Sequence, residues 1–234
     1  MKNDNINNRE ITGQKDSGSG GSIKEPDLQK SSEYLENNRK RLKQGGIVSV
    51  MFSGVGGQGI ILATTVLARA AMFEGFDVKV SEVHGMAQRG GSVIGSVRFG
   101  EKVHSPIVDR ADLIVSLEKL EAARYLDLLK PEGFLFINDY EIYPVSIYLE
   151  DREYPSDIIK KISKATSRYK LIEASGIAAD LGEIRASNTV LIGSLSMFLP
   201  ISPGSWMCSI KESVPERALK LNINAFEKGR EIVK

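Results

Sequence analysis

The chain has 234 residues, 41% of them hydrophobic and 26% charged, the make-up of an ordinary soluble protein of one large or two small domains. Collagen-like and disulfide-scaffold classes are excluded. Thirty-one basic residues against thirty acidic leave a net charge of +1, so no bulk field recruits nucleic acid or an anionic membrane.

One cysteine (Cys208) and two histidines (His84, His104) are too few for a disulfide, a cysteine-ligated cluster or a self-contained transition-metal site. No apolar run approaches the ~18 residues that span a bilayer. The amino terminus lacks a signal-peptide stretch, and a reducing cytoplasm is the expected compartment.

Residues 1–45 carry eight apolar residues, nine Lys/Arg, seven Asp/Glu and a Ser/Gly run at 17–22. Such a stretch buries too little to offset its ordering entropy, so a flexible, dispensable tail is expected over 1–45, although the Glu/Lys alternation of 26–43 is compatible with a short helix. The folded part is expected over 46–234. Ile47–Phe52 is short, β-rich and followed by glycines, which predicts a buried first strand. Gln58–Phe73 has helical spacing of Ile60, Ala63, Leu67 and Ala70, with Gly75 as its stop. Strands are predicted over 76–81, 92–99, 111–117, 134–138 and 169–173, with helices over 119–129 and 157–165. From Ala174 onward the pattern is helical, and Ser213 with Glu216 three residues later reads as a capping box for the last helix. The fold class is therefore α/β: a Rossmann-like layered sheet with flanking helices, a helical carboxy-terminal part and a disordered amino-terminal tail.

Three segments can carry chemistry. Gly54-Val55-Gly56-Gly57-Gln58-Gly59 follows a strand and opens a helix, where missing side chains and free N–H groups suit an anion. It matches the dinucleotide fingerprint, with Glu82 as the ribose acid, but a tight turn without ligand has the same composition. In the second segment, Gly85, Gly90 and Gly91 flank Arg89 and permit positive φ, so its guanidinium can be held out at the sheet edge toward phosphate or carboxylate. A solvated turn is the alternative. The third is Ser187-Asn188-Thr189 with Gly193, echoed downstream by Asn222, Ala225, Phe226 and Gly229. Asn188 is placed to cap a helix starting at Thr189, and Gly193 to allow close helix packing.

Together these segments (GVGGQGI, HGMAQRGGSV, SNTVLIGSL and N-x-x-AF-x-x-G) resemble the gamma-type module of the 2-oxoacid:ferredoxin oxidoreductases. Within that family HGMAQRGG resembles the beta-subunit type of the indolepyruvate enzymes, whereas pyruvate and 2-oxoglutarate relatives read more like GPEMRGG. The resemblance runs from about Ile47 to Lys234. It implies a reaction in which an aryl pyruvate is oxidatively decarboxylated to the acyl-CoA while ferredoxin takes the electrons. Thiamine diphosphate, Mg and 4Fe-4S clusters would belong to a larger alpha subunit, because this chain has no Gly-Asp-Gly signature and one cysteine. Coenzyme A is the ligand implied for this module. The residues carried over are Gly54, Gly56, Gly57, Gln58, Gly59, Gly85, Arg89, Gly90, Gly91 and Asn188; no catalytic and no metal-binding residue is assigned. The alternatives are a gamma subunit acting on pyruvate or 2-oxoglutarate and, more distantly, an NAD-binding module. Pro200–Met207 is a candidate docking segment, with Trp206 either an exposed anchor or a plug under the last helix.

Overall fold

A computed structural model describes residues 26–84, 91–143 and 154–233, leaving out the side chains of 26–29 and 84. Among them, strands β1 (Ile47–Val55), β2 (Asp77–His84), β3 (Ser92–Gly100), β4 (Ala111–Ser116), β5 (Leu129–Asn138) and β6 (Tyr169–Ile172) form one sheet in the order β2-β3-β1-β4-β5-β6. β1, β4, β5 and β6 run parallel, while β3 is antiparallel to both β1 and β2. The α/β expectation holds, and the sheet is only loosely Rossmann-like because β3 is inserted between β1 and β2.

The pleat sorts the core into two layers, because successive side chains of a strand point to opposite faces. Val50, Phe52, Leu113, Val115, Phe134 and Phe136 face α2 (Ile60–Phe73) and the carboxy-terminal helices; Met51, Ile114, Leu135 and Ile137 face α3 (Lys119–Arg124) and α4 (Ile158–Ala165). The first face is completed by α5 (Ala174–Asp180), α6 (Ser187–Ser196), α7 (Pro203–Ser213) and α8 (Glu216–Glu231). Packing of α6 on α8 depends on two missing side chains. A Cβ on Gly229 would lie 1.8 Å from the Val190 carbonyl oxygen, and one on Gly193 2.1 Å from that of Phe226. The close packing expected at Gly193 is present.

Three expectations need correction. The short helix compatible with 26–43 is present as α1 (Pro26–Lys43), but it is docked on the core instead of belonging to the flexible tail expected over 1–45; residues 1–25 lie outside the described residues. Tyr34 packs on Phe134 and Phe198 (ring centroids 5.5 and 5.4 Å) and donates to the Glu132 carbonyl at 2.7 Å. Buried Asn38 donates to the Phe198 carbonyl at 3.0 Å, and Arg41 pairs with Asp112, which also accepts from Lys130 at 2.7 Å. A docked helix needs one apolar stripe rather than an apolar composition, so counting residues misjudged it. Second, the helix after β4 stops at Arg124, and β5 starts at Leu129 instead of Phe134 through a register shift around Pro131 and Gly133.

Third, the predicted capping box is not formed. Pro215 forces Val214 into an extended conformation (φ −118°, ψ 150°), so Ser213 is the last residue of α7 and α8 begins at Glu216 behind Pro215. Of the two readings of Trp206 the plug is the one observed: it is fully buried, 5.7 Å from the Phe226 ring on α8.

Candidate functional site: the glycine loop and the strand crest

The parallel strands β1, β4 and β5 end side by side, and their carboxy-terminal ends form a crest of buried polar groups. Ser53 and Ser116 hydroxyls pair at 2.7 Å, and the Leu117 N–H donates to the Ser53 carbonyl at 2.8 Å. Asn138, at the end of β5, donates to the Leu117 carbonyl at 3.1 Å and to the Ser175 hydroxyl at 2.8 Å. In an open α/β sheet this is the edge where ligands bind.

Over the crest runs the loop from Val55 to Gly59. Gln58 holds it shut from inside: its Oε1 accepts from the Val55 N–H at 2.7 Å and its Nε2 donates to the Leu117 carbonyl at 3.0 Å. Its amide is therefore a staple between the ends of β1 and β4, a structural use that its place in the motif did not reveal. The close approach requires Gly54, where a Cβ would sit 2.8 Å from Gln58 Oε1 and 3.2 Å from Leu117 Cβ. Left-handed backbone falls on Gly57 (φ 101°) and Gly59 (φ 83°).

Gly59 is the N-cap of α2 and brings no side-chain acceptor to its first turn. The start of a 14-residue helix thus meets a groove of about 280 Å³ lined by Val55, Gly56, Gly57, Gly59, Ile60, Ile61 and Val93. Uncapped N–H groups and the helix dipole favour an anion there, while the apolar walls suit an uncharged portion of the same molecule.

Asn188 does not cap a helix at Thr189. Helix α6 begins two residues earlier, at Ser187, and the Asn188 Nδ2 reaches across 129 positions to donate to the Gly59 carbonyl at 3.2 Å. The first and third motifs therefore meet in space. The second touches them through its exit. The Gly56 N–H donates to the Gly91 carbonyl at 2.9 Å, and the Ser92 hydroxyl contacts Glu121 and, at 2.8 Å, the Tyr125 hydroxyl. Gly85, Arg89 and Gly90 lie outside the described residues. Glu82 faces solvent and accepts from Thr64 Oγ1 at 3.0 Å, on a strand separated from β1 by β3.

Two buried carboxylates escaped the sequence analysis. Glu118, 1% exposed, caps α3 by accepting the Glu121 N–H at 2.9 Å, and also accepts from the Tyr154 hydroxyl and the Ile142 N–H. Burial raises its carboxyl above the ordinary value, against the pull of those hydrogen bonds, and burial beside Glu118 raises the Tyr154 phenol. Glu121, likewise buried, takes Arg124 Nε at 3.0 Å. Nothing in their spacing marked them, since Glu118 is the N-cap and Glu121 lies in the first turn of a helix of six residues. Beside them Lys119 bridges Asp139 (2.9 Å) and Glu141 (2.7 Å). Burial lowers its ammonium, but the two carboxylates outweigh it and hold it above the usual lysine value.

Among the described residues no three His, Cys, Asp or Glu side chains are grouped to hold a metal. With Cys208 its one cysteine, the chain has no donor set for an iron–sulfur cluster, so clusters do not fit here. Among the same residues no helix is long and apolar enough to cross a membrane.

Residues 49–232 match the family model described as pyruvate ferredoxin/flavodoxin oxidoreductase. The chain is 41% identical over 188 residues to the indolepyruvate oxidoreductase subunit IorB of Thermococcus kodakarensis, a match covering 77% of this chain and 93% of that protein. It is 28% identical over 188 residues to the 2-oxoglutarate synthase subunit KorC of Methanothermobacter marburgensis, covering 79% and 95%. Its fold is similar to that of a keto/oxoacid ferredoxin oxidoreductase gamma subunit from Geobacter sulfurreducens (TM-score 0.59, 23% identity, 80% of this chain and 98% of the other). A family match over this span, carrying both the glycine loop and the asparagine that holds it, means that the chain belongs to the pyruvate ferredoxin/flavodoxin oxidoreductase family.

Proposed function

We propose that this chain is the thiamine-free, cluster-free subunit of an indolepyruvate (aryl pyruvate) ferredoxin oxidoreductase working in the cytoplasm. The observation that carries the substrate class is the 41% identity to an indolepyruvate oxidoreductase subunit against 28% to a 2-oxoglutarate synthase subunit. The aryl pyruvate loses carbon dioxide, its acyl group replaces the thiol proton on the coenzyme A sulfur, that proton is released, and the two electrons leave to ferredoxin. Thiamine diphosphate with Mg would supply the carbanion chemistry, and 4Fe-4S clusters the electron exit, on a larger alpha subunit.

This chain's own part is to bind and orient coenzyme A. Its donors are the uncapped N–H groups of Gly59 and the first turn of α2, with Gly54, Gly56, Gly57 and Gln58 shaping the loop and Asn188 holding it. Arg89, with Gly85, Gly90 and Gly91, would add the fixed positive charge that a phosphate requires. The apolar walls at Val55, Ile60, Ile61 and Val93 suit the uncharged arm of such a molecule.

The test is to co-express the chain with its larger partner and follow viologen reduction with coenzyme A and each of indolepyruvate, phenylpyruvate, pyruvate and 2-oxoglutarate. Aryl pyruvates should be turned over fastest, and this chain alone should give no turnover. Preference for pyruvate or 2-oxoglutarate would transfer the assignment to that branch of the family. Arg89→Ala should weaken coenzyme A by roughly 1.5–3 kcal/mol, the worth of a charge-assisted hydrogen bond. An unchanged KM for coenzyme A would remove Arg89 from the site.

A further inference from the structure

Helices α6 and α8 meet through two glycines, and a chain of buried amides and one hydroxyl also runs between them. Asn222, on α8, donates from Nδ2 to the Ala218 carbonyl at 2.9 Å, which orients its Oδ1. The Thr189 hydroxyl, on α6, shares its one proton between two amide oxygens, donating to the Asn222 Oδ1 at 2.7 Å and to the Asn188 Oδ1 at 3.1 Å. Asn188 in turn donates to the Gly59 carbonyl at 3.2 Å. All three side chains are at least nine-tenths buried.

The end point of this chain has a chemical consequence. The Gly59 carbonyl belongs to the same planar peptide unit as the Ile60 N–H, so holding the oxygen fixes where that N–H points. That N–H is the first donor of α2, at the mouth of the groove. We infer that Thr189 is a positioning residue of the glycine-loop site, acting through the hydrogen bond to Asn188 on the Gly59–Ile60 peptide, with its shared proton tying that amide to Asn222 on α8. The inference rests on the coenzyme A reading above and extends the ligand site to the last helix.

Its test uses Thr189→Val, which keeps the shape and removes the hydroxyl, and Thr189→Ser, which restores it. Ser194→Ala is the control, because Ser194 donates to the Gly229 carbonyl at 2.8 Å across the same helix pair without touching the loop. Two readouts apply: amide hydrogen exchange of residues 54–62 in the full chain, and KM for coenzyme A in the assembled complex. Thr189→Val should speed exchange of the loop severalfold and raise that KM severalfold, with a smaller change in kcat. Thr189→Ser should return both toward wild type. Ser194→Ala should lower the melting temperature but leave the loop and the KM alone. Unchanged loop exchange in Thr189→Val, or equal acceleration in Ser194→Ala, would overturn the inference. If Thr189→Val loosens the loop but coenzyme A leaves wild-type exchange at 54–62 unchanged, the positioning stands and the ligand assignment is what fails.

Discussion

At Gly59 the missing side chain is demanded twice, once by the backbone and once by a neighbour. Its φ of +83° is left-handed, which costs an ordinary residue about 1–2 kcal/mol, and a Cβ there would lie 2.2 Å from Asn188 Nδ2. At Gly57 the φ is +101°, but nothing lies within 4 Å of the added atom. Gly59→Ala should therefore destabilise the chain more than Gly57→Ala in urea titrations, because only the first must also displace Asn188; the reverse order would contradict the described loop. Glu118 makes a pH-dependent prediction. Its carboxyl is raised in the fold, so its contribution to stability is full at pH below the ordinary carboxylate value and is lost as pH rises through the raised one. The difference in melting temperature between wild type and Glu118→Gln should fall across that window. A difference independent of pH would mean that burial does not penalise the charge.

Among elements, α1 offers the sharpest test. It contributes Leu42 to the core, rests Tyr34 on Phe134 and Phe198, and satisfies the Phe198 carbonyl through Asn38. Removing residues 1–45 uncovers those rings and leaves a buried carbonyl without its donor, a loss of about 1–3 kcal/mol for the orphaned group alone. The melting temperature should drop by several degrees, the opposite of what the composition of that segment suggests; an unchanged value would mean that α1 does not hold to the core in solution. By contrast, β1, α2 and β3 are where their residue patterns put them. Their signals are local: a β-rich run ended by glycines, helical spacing ended by Gly75, and alternation along β3. The boundaries that moved did so where a distant element intervenes, as at Leu129, which pairs with Ala111 although Pro131 and Gly133 read as turn residues.

For the molecule as a whole, the first and third motifs, linked across 129 positions by Asn188 and Gly59, meet at one edge of one sheet, and the exit of the second, at Gly91, reaches them through the Gly56 N–H. Residue order alone established the α/β layering, the strand–glycine loop–helix unit and the family resemblance, because each depends on spacing within a few turns of chain. Tertiary structure alone decided that α1 docks, that Trp206 is buried against Phe226, that Gln58 staples β1 to β4, and that Asn188 serves Gly59 rather than its own helix. Those outcomes turn on which surfaces and unpaired backbone groups the assembled sheet and packed helices bring within hydrogen-bonding distance, and no local pattern records that geometry.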